Sequence, residues 1–210
     1  MKIEIWSDIV CPFCYIGLKR LEEALEAYPE KDSVEIRFRS YLLAPHYRPE
    51  GETDVYAYMA KKNGLTVEEA RTRYQQITEI AAGEGLTFHF DKAVPCNTVM
   101  AHQLLHLARK ENVQLALEKR FFAAYFTEGK NLNNPEVLAA ICREVGIDAQ
   151  KALAVCNGDQ YIRAINDDIR EASGLGVAGV PFFLFDQSLA VKGAQSAAFL
   201  TDIMMQLKNK

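Results

Sequence analysis

Charged and apolar side chains alternate over residues 2–6, which puts Ile3 and Ile5 on one face of a predicted strand. A helical period begins with the Cys11-Pro12-Phe13-Cys14 segment. Ile16, Leu18, Leu21, Ala24 and Leu25 recur at three- and four-residue spacing, with Lys19, Arg20, Glu22, Glu23 and Glu26 opposite. Pro12 suits the first turn of that helix, where the amide hydrogen it lacks would have had no partner. Tyr28-Pro29 should stop it. Alternation returns over residues 34–43, with Val34, Ile36 and Phe38 against Glu35, Arg37 and Arg39. The opening reads strand, helix, strand, and the handedness of such crossovers makes the two strands parallel neighbours.

From 44 to 157 the signal is helix after helix. Pro45, Pro49 and Gly51 mark a loop, and Thr53 or Asp54 caps a short helix that ends before Asn63-Gly64. Thr66 with Glu69 three residues on forms a capping box for a helix to about Ala82. Asn97 caps the next, and another runs over 114–126. Asn134-Pro135-Glu136 opens one that ends near Gly146, and Asp148 one that closes at Asn157-Gly158. Residues 159–172 are again helical. Phe182-Phe183-Leu184-Phe185 then reads as a buried strand, Asp186-Gln187 as a turn, 189–192 as its hairpin partner and 196–207 as a closing helix. The class is α/β, with a large all-helical insertion between two mixed halves.

Composition narrows the function. A chain of 210 residues is long enough to bury a full core. Its net charge of −4, with no basic block, lacks the positive footprint of a nucleic-acid binder. No apolar run approaches the roughly 18 residues of a membrane span. Lys2, Glu4 and Asp8 interrupt the N-terminal segment, which is therefore not a secretory signal. Five cysteines do not describe a disulfide-stapled secreted scaffold, so a cytoplasmic, reducing setting is expected.

In such a setting a close cysteine pair points to redox or metal chemistry. Cys11 at a helix start lies among unpaired amide hydrogens and the positive end of the helix dipole, which favour its thiolate. Cys14, one turn inward on the same face, suits attack on a mixed disulfide formed at Cys11. Zinc would need two further ligands, from Cys96, His102 and His106, and no second tight cysteine pair exists. No metal is expected. Val180-Pro181, between a glycine-rich loop and a buried strand, is a candidate cis peptide.

Ser7-Asp8-Ile9-Val10-Cys11-Pro12-Phe13-Cys14-Tyr15-Ile16-Gly17, the helical insert, Gly179-Val180-Pro181-Phe182-Phe183 and Lys192-Gly193-Ala194-Gln195 together resemble the DsbA-like thioredoxin-fold family. More narrowly they resemble its FrnE-like branch of cytoplasmic dithiol-disulfide oxidoreductases. The likeness covers nearly the whole chain, and the order and spacing of the blocks carry it. It implies a discontinuous thioredoxin-like domain of residues 1–43 and 158–210 around a helical insertion of residues 44–157. It makes Cys11 the nucleophile, Cys14 the resolving thiol and Pro181 the cis-proline beside them, with Val180 offering its backbone to an extended substrate. Pro12 and Phe13 fall at the substrate face, and Asn97 and His102 match a stretch over the groove. Many members of the branch carry tryptophan, and periplasmic DsbA enzymes histidine, where this chain has Phe13. Phe13 offers the thiolate no charge and no donor, so the pair should be a weaker oxidant than a periplasmic DsbA.

The function implied is thiol-disulfide exchange on protein or small-molecule thiols and disulfides, with no bound cofactor. In the absence of a dinucleotide fingerprint, glutathione or another thiol should supply the electrons. The rival is a glutathione-dependent isomerase or transferase of the kappa-class or 2-hydroxychromene-2-carboxylate isomerase type, in which a resolving cysteine has no role. A third reading is a binding module with vestigial thiols. Cys142 reads as core, Cys156 as partly exposed, and Cys96, ahead of a helix start where its pKa could fall, as a packed thiol. His102 and His106 read as a partly buried face, and Phe121, Phe122, Tyr125 and Phe126 as core. Trp6, the only tryptophan, lies just before the active-site turn and should report its redox state.

Overall fold

The computed structural model describes residues 1–48 and 54–208; Pro49, Gly51 and Thr53 of the expected loop and cap lie outside them. Strand β1 (Lys2–Ser7) runs parallel to β2 (Glu35–Ser40), paired from Lys2↔Glu35 to Ser7↔Ser40, with α1 (Pro12–Glu26) as the crossover. On its other edge β1 meets β3 (Phe182–Phe185) antiparallel, and β3 turns through Asp186 and Gln187, both with positive φ, into β4 (Leu189–Lys192). The sheet order is β2-β1-β3-β4. This is the α/β thioredoxin arrangement that the resemblance implies.

Between β2 and α8 lie the helices of the insert: α2 (Val55–Asn63), α3 (Val67–Gly83), α4 (Val99–Lys110), α5 (Gln114–Phe122), α6 (Pro135–Glu144) and α7 (Ala149–Cys156). Helices α8 (Ile162–Gly174) and α9 (Ala197–Lys208) complete the fold. The caps follow the sequence chemistry. The Asp54 side chain accepts from the Tyr56 amide, and Thr66 and Glu69 form a reciprocal capping box. Asn134 and Asp148 also cap through their side chains. The expected helix over 114–126 changes character instead: α5 ends at Phe122 and a π-helical turn, Ala123–Thr127, carries Tyr125 and Phe126 inward.

Alternation along β1 divides the core between the two faces of the sheet. Ile3 and Ile5, with Phe183 and Phe185, join the main core, which runs without a break into Phe121, Phe122, Leu138 and Ile141 of the insert. Trp6, Phe182 and Leu184 form a second cluster with Ala172 and Val177 on the opposite face. The charged half of the alternation is buried as well. Glu4 is 1% exposed and pairs with Lys2, Arg37 and Arg39. An aromatic stack seats α1 against the insert: Tyr15 lies 5.0 Å from Phe122, and Phe88 4.7 Å from Phe126, between ring centroids.

After the π turn the chain reverses at Gly129, which has φ of +65°. A Cβ there would sit 2.5 Å from the Lys92 Cβ and 2.8 Å from the Lys92 carbonyl oxygen. Gly129→Ala combines a left-handed backbone with a clash against main chain, and is expected to cost about 3 kcal/mol, read as a lowered urea midpoint. Among the described residues, no helix is long and apolar enough to cross a membrane.

Candidate active site

The parallel strand β1 delivers the chain to a tight turn at Asp8, whose backbone oxygen accepts the Cys11 amide at 2.9 Å. Cys11 is the N-cap of α1, with Pro12 at the first helical position, and the Cys14 amide bonds back to the Cys11 oxygen at 3.0 Å. Asp8 is fully buried and fastens this turn from beneath. Its carboxylate accepts the Leu43 amide at 2.7 Å and faces His102 Nε2 at 3.4 Å. The loop after α8 approaches from the other side. Val180-Pro181 is cis, as the sequence indicated, and the Cys11 thiol donates to the Val180 oxygen at 3.6 Å.

Packing fixes where Pro181 sits. A Cβ added at Gly17, one turn beyond Cys14, would lie 3.1 Å from the Pro181 Cγ and 3.5 Å from the Ala194 Cβ. The absent side chain on α1 thus leaves room for Pro181 and Phe183, which a Cβ would push back by a few tenths of an ångström. Arg20 ties the same surfaces together, donating to the Ala194 oxygen at 2.6 Å and to Glu84 at 2.8 Å. The Pro181 oxygen accepts from the Gly193 amide at 2.8 Å.

The two thiols differ in environment. Both are free and buried, Cys11 at 5% exposure and Cys14 at 3%, while Phe13 between them is 38% exposed. Burial, then the hydrogen bond and charge of Cys11, push the Cys14 thiol well above its ordinary range; the Asp8 amide and the Ser7 hydroxyl pull it back only in part. Cys14 is therefore held as a thiol. Val10 and Pro12, the chain neighbours of Cys11, line an apolar cleft. The cleft is walled by Leu43, Val55 and Met59 and carries the phenols of Tyr58, Tyr74 and Tyr125. Tyr74 lies within electrostatic range of Cys11, and burial pushes its phenol up.

The structure brings Pro12, Phe13, Val180 and Pro181 to Cys11 and Cys14. It places the other two expected groove residues elsewhere. His102 is 1% exposed and lies under the turn against Asp8, because α4 runs through the core rather than across the opening. Asn97 holds the rim: its amide donates to the Pro45 and Tyr47 oxygens at 3.2 and 3.0 Å, and its Oδ1 accepts the Val99 amide at the start of α4. His106 is also buried, against Ser40 and Asp168. Among the described residues, no three His, Cys, Asp or Glu side chains are placed to hold a metal ion. The spare thiols are all buried. Burial and the charge of Asp8 push Cys96 up rather than down, and burial raises Cys142 to about 12 and Cys156 to about 11. Cys156 is less exposed than its position at a helix end indicated.

Three contributors escaped the sequence reading. Asp8 and Ser7 precede the cysteines but give no sign of pointing inward. Glu118 sits among Lys119 and Arg120, as on a solvated face. Its spacing from Gln114, Phe121 and Phe122 was the available signal, since that puts a carboxylate on the apolar side of α5.

A family model described as a DSBA-like thioredoxin domain matches residues 2–205. A probable DsbA oxidoreductase from Streptomyces coelicolor is 35% identical and superposes with a TM-score of 0.93, covering 100% of this chain and 91% of its own. YwbO of Bacillus subtilis is 25% identical over 215 residues, covering 100% of this chain and 99% of its own. The cytosolic disulfide reductase DsbM of Pseudomonas aeruginosa, 18% identical with 100% of each chain covered, shares the fold at a TM-score of 0.70; a further structure shows it with glutathione. With the sheet, the insert and the cysteine turn in the arrangement the motifs implied, the chain belongs to the DsbA-like thioredoxin family of thiol-disulfide oxidoreductases and their relatives.

Proposed function

We propose that the protein is a thiol-disulfide oxidoreductase of the cytoplasm that cycles Cys11 and Cys14 between dithiol and disulfide. The observation that carries this reading is the asymmetry of the pair. Cys11 lies between two residues that line the cleft and 3.6 Å from the Val180 oxygen, while Cys14 is held as a buried thiol one helical turn away. Cys11 attacks a sulfur of the substrate disulfide and one substrate thiolate leaves. Cys14 then attacks the Cys11 sulfur and the second thiolate leaves.

The half-buried Val180 has an amide hydrogen without a partner among the described residues, which supports main-chain pairing with an extended substrate segment. Pro12 and the exposed Phe13 offer that segment an apolar footing, and the cleft takes a side chain next to the attacked sulfur. Substrates are protein or small-molecule thiols and disulfides, and glutathione or another thiol is the electron partner. An isomerase or transferase working on glutathione with one thiol would have no use for Cys14, which here faces Cys11 from a site built to hold it.

The test is a redox titration in glutathione buffers, with free thiols alkylated and the product weighed by mass spectrometry. A single two-electron transition confined to Cys11 and Cys14 is expected. A pair that stays reduced in glutathione disulfide would sink the reading. Trp6 is a poor reporter for this titration, despite its place in the sequence. It lies on the opposite face of the sheet, edge-on to Phe182, with its indole donating to the Asp168 oxygen at 2.9 Å.

A further inference from the structure

Resolution of a mixed disulfide demands that a buried thiol lose its proton, and Cys14 is only 3% exposed. The Ser7 hydroxyl and the Asp8 amide lie close enough to favour its thiolate. Ser7 Oγ in turn donates to Glu118 Oε1 at 2.8 Å. Glu118 comes from α5 of the insert, is fully buried, and its other oxygen, Oε2, has no hydrogen-bond partner among the described residues. Nearby, His102 Nδ1 is likewise buried without a partner. An unpaired carboxylate oxygen in a core is costly, and this fold keeps one on a carboxylate whose other oxygen is hydrogen-bonded to Ser7, the residue beside its resolving cysteine.

We propose that Glu118 is the proton acceptor for Cys14, acting through the Ser7 hydroxyl in the step that releases substrate from Cys11. The inference rests on the two-cysteine reading above. As Cys14 Sγ bonds to Cys11 Sγ, the bond from Cys11 to the substrate sulfur breaks and the substrate thiolate leaves with the electron pair. The Cys14 proton passes to Ser7 Oγ, whose own proton passes to Glu118. The substrate thiolate takes a proton from solvent, and Glu118 returns its proton when the disulfide is next reduced.

The surroundings suit an acid-base group. Burial raises Glu118 to about 7, with the charge of Asp8 acting in the same direction and His102 and the Ser7 hydrogen bond opposing. The groups facing it are Ser7 and Asp8 after β1, Cys14 on α1 beyond Ser7, His102 on α4, and Gln114 on its own helix. Arg39 and Ser40 of β2 and His106 also come close to it, with Phe38 and Leu105 between them. An ordinary carboxylate would be too weak a base to take a thiol proton at neutral pH, and a group near 7 is matched to the task.

The experiment mixes the reduced protein with one equivalent of the chromogenic disulfide dithionitrobenzoate. The first thionitrobenzoate released marks attack by Cys11, and the second marks displacement by Cys14. In the natural protein the second phase should rise with pH and level off above about 7. Glu118→Gln, close in shape, should slow the second phase about a hundred-fold at neutral pH. It should leave the first phase unchanged and replace the plateau by a rate that climbs with hydroxide. Ser7→Ala should reproduce this with Glu118 in place, and the double variant should be no slower than either. An unchanged second phase, a plateau retained in Glu118→Gln, or both phases slowed alike overturns the proposal. Release of only one equivalent by the natural protein overturns the two-cysteine reading itself.

Discussion

Cys11→Ser is expected to abolish disulfide exchange, leaving turnover of a glutathione-peptide mixed disulfide at the rate of the uncatalysed reaction. The attacking group must form a sulfur-sulfur bond, and no other thiol is placed to substitute. Cys14 is 3% exposed and held protonated, and Cys96, Cys142 and Cys156 are buried with raised pKa values. Cys14→Ser should differ in kind. The first step survives, the second has no thiol, and the protein accumulates as an adduct of one substrate moiety on Cys11, visible as a mass increase that dithiothreitol reverses. Turnover retained in Cys11→Ser, or no adduct in Cys14→Ser, would assign the two cysteines the wrong order.

Asp168→Ala should be the most damaging substitution away from the cysteines, costing about 3–5 kcal/mol because it strands buried partners. Asp168 is 2% exposed on α8. It accepts Arg39 Nη1 at 2.6 Å, the Ser40 amide at 2.9 Å and His106 Nε2 at 3.2 Å. Arg39 also bonds Glu4 at 2.8 Å and lies over the Trp6 ring. Removing Asp168 leaves the Ser40 amide unpaired at the end of β2 and takes one carboxylate from a guanidinium that the fold encloses. Burial opposes the charge of Asp168, but the bonds from His106, Ser40 and Arg39 together hold its carboxyl below the ordinary 3.8. A carboxyl depressed by folding adds stability that is complete above its unfolded value and is lost as pH falls through the folded one. The gap between natural protein and variant in urea denaturation should therefore be full at neutral pH and narrow below about pH 3.8. A gap that stays constant into acid would show that packing, not charge, is what Asp168 supplies.

Much of the architecture could be read directly because its cues are local. Thr66 and Glu69 stand three residues apart, Pro12 fixes its own φ, and Phe182-Phe183-Leu184-Phe185 is a short apolar run that fits a buried strand. The cysteine pair could be read for the same reason, since a helical turn sets its spacing. The π turn at Ala123–Thr127 could not, because Phe126, with Tyr125 packed on it, is drawn inward by Phe88, Phe90 and Tyr15, which are distant in sequence. Nor could the place of His102. Its spacing from His106 indicates a shared helix face, whereas its burial under the cysteine turn depends on how α4 packs against Asp8.

The sequence by itself determined the elements, the cysteine turn and the proline opposite it, because propensity, capping and the reach of one helical turn act within a few residues. The tertiary structure alone decided the surroundings of those cysteines. Gly17 admits Pro181, Asp8 locks the turn, and Glu118 arrives from a helix more than a hundred residues away to meet Ser7. It also decided that Glu4 and Trp6, which alternate like a solvated face, are buried. The reason is physical. Burial and proton affinity are set by what packs around a group, and a carboxylate among lysine and arginine in the chain reads as solvated until folding takes its water away.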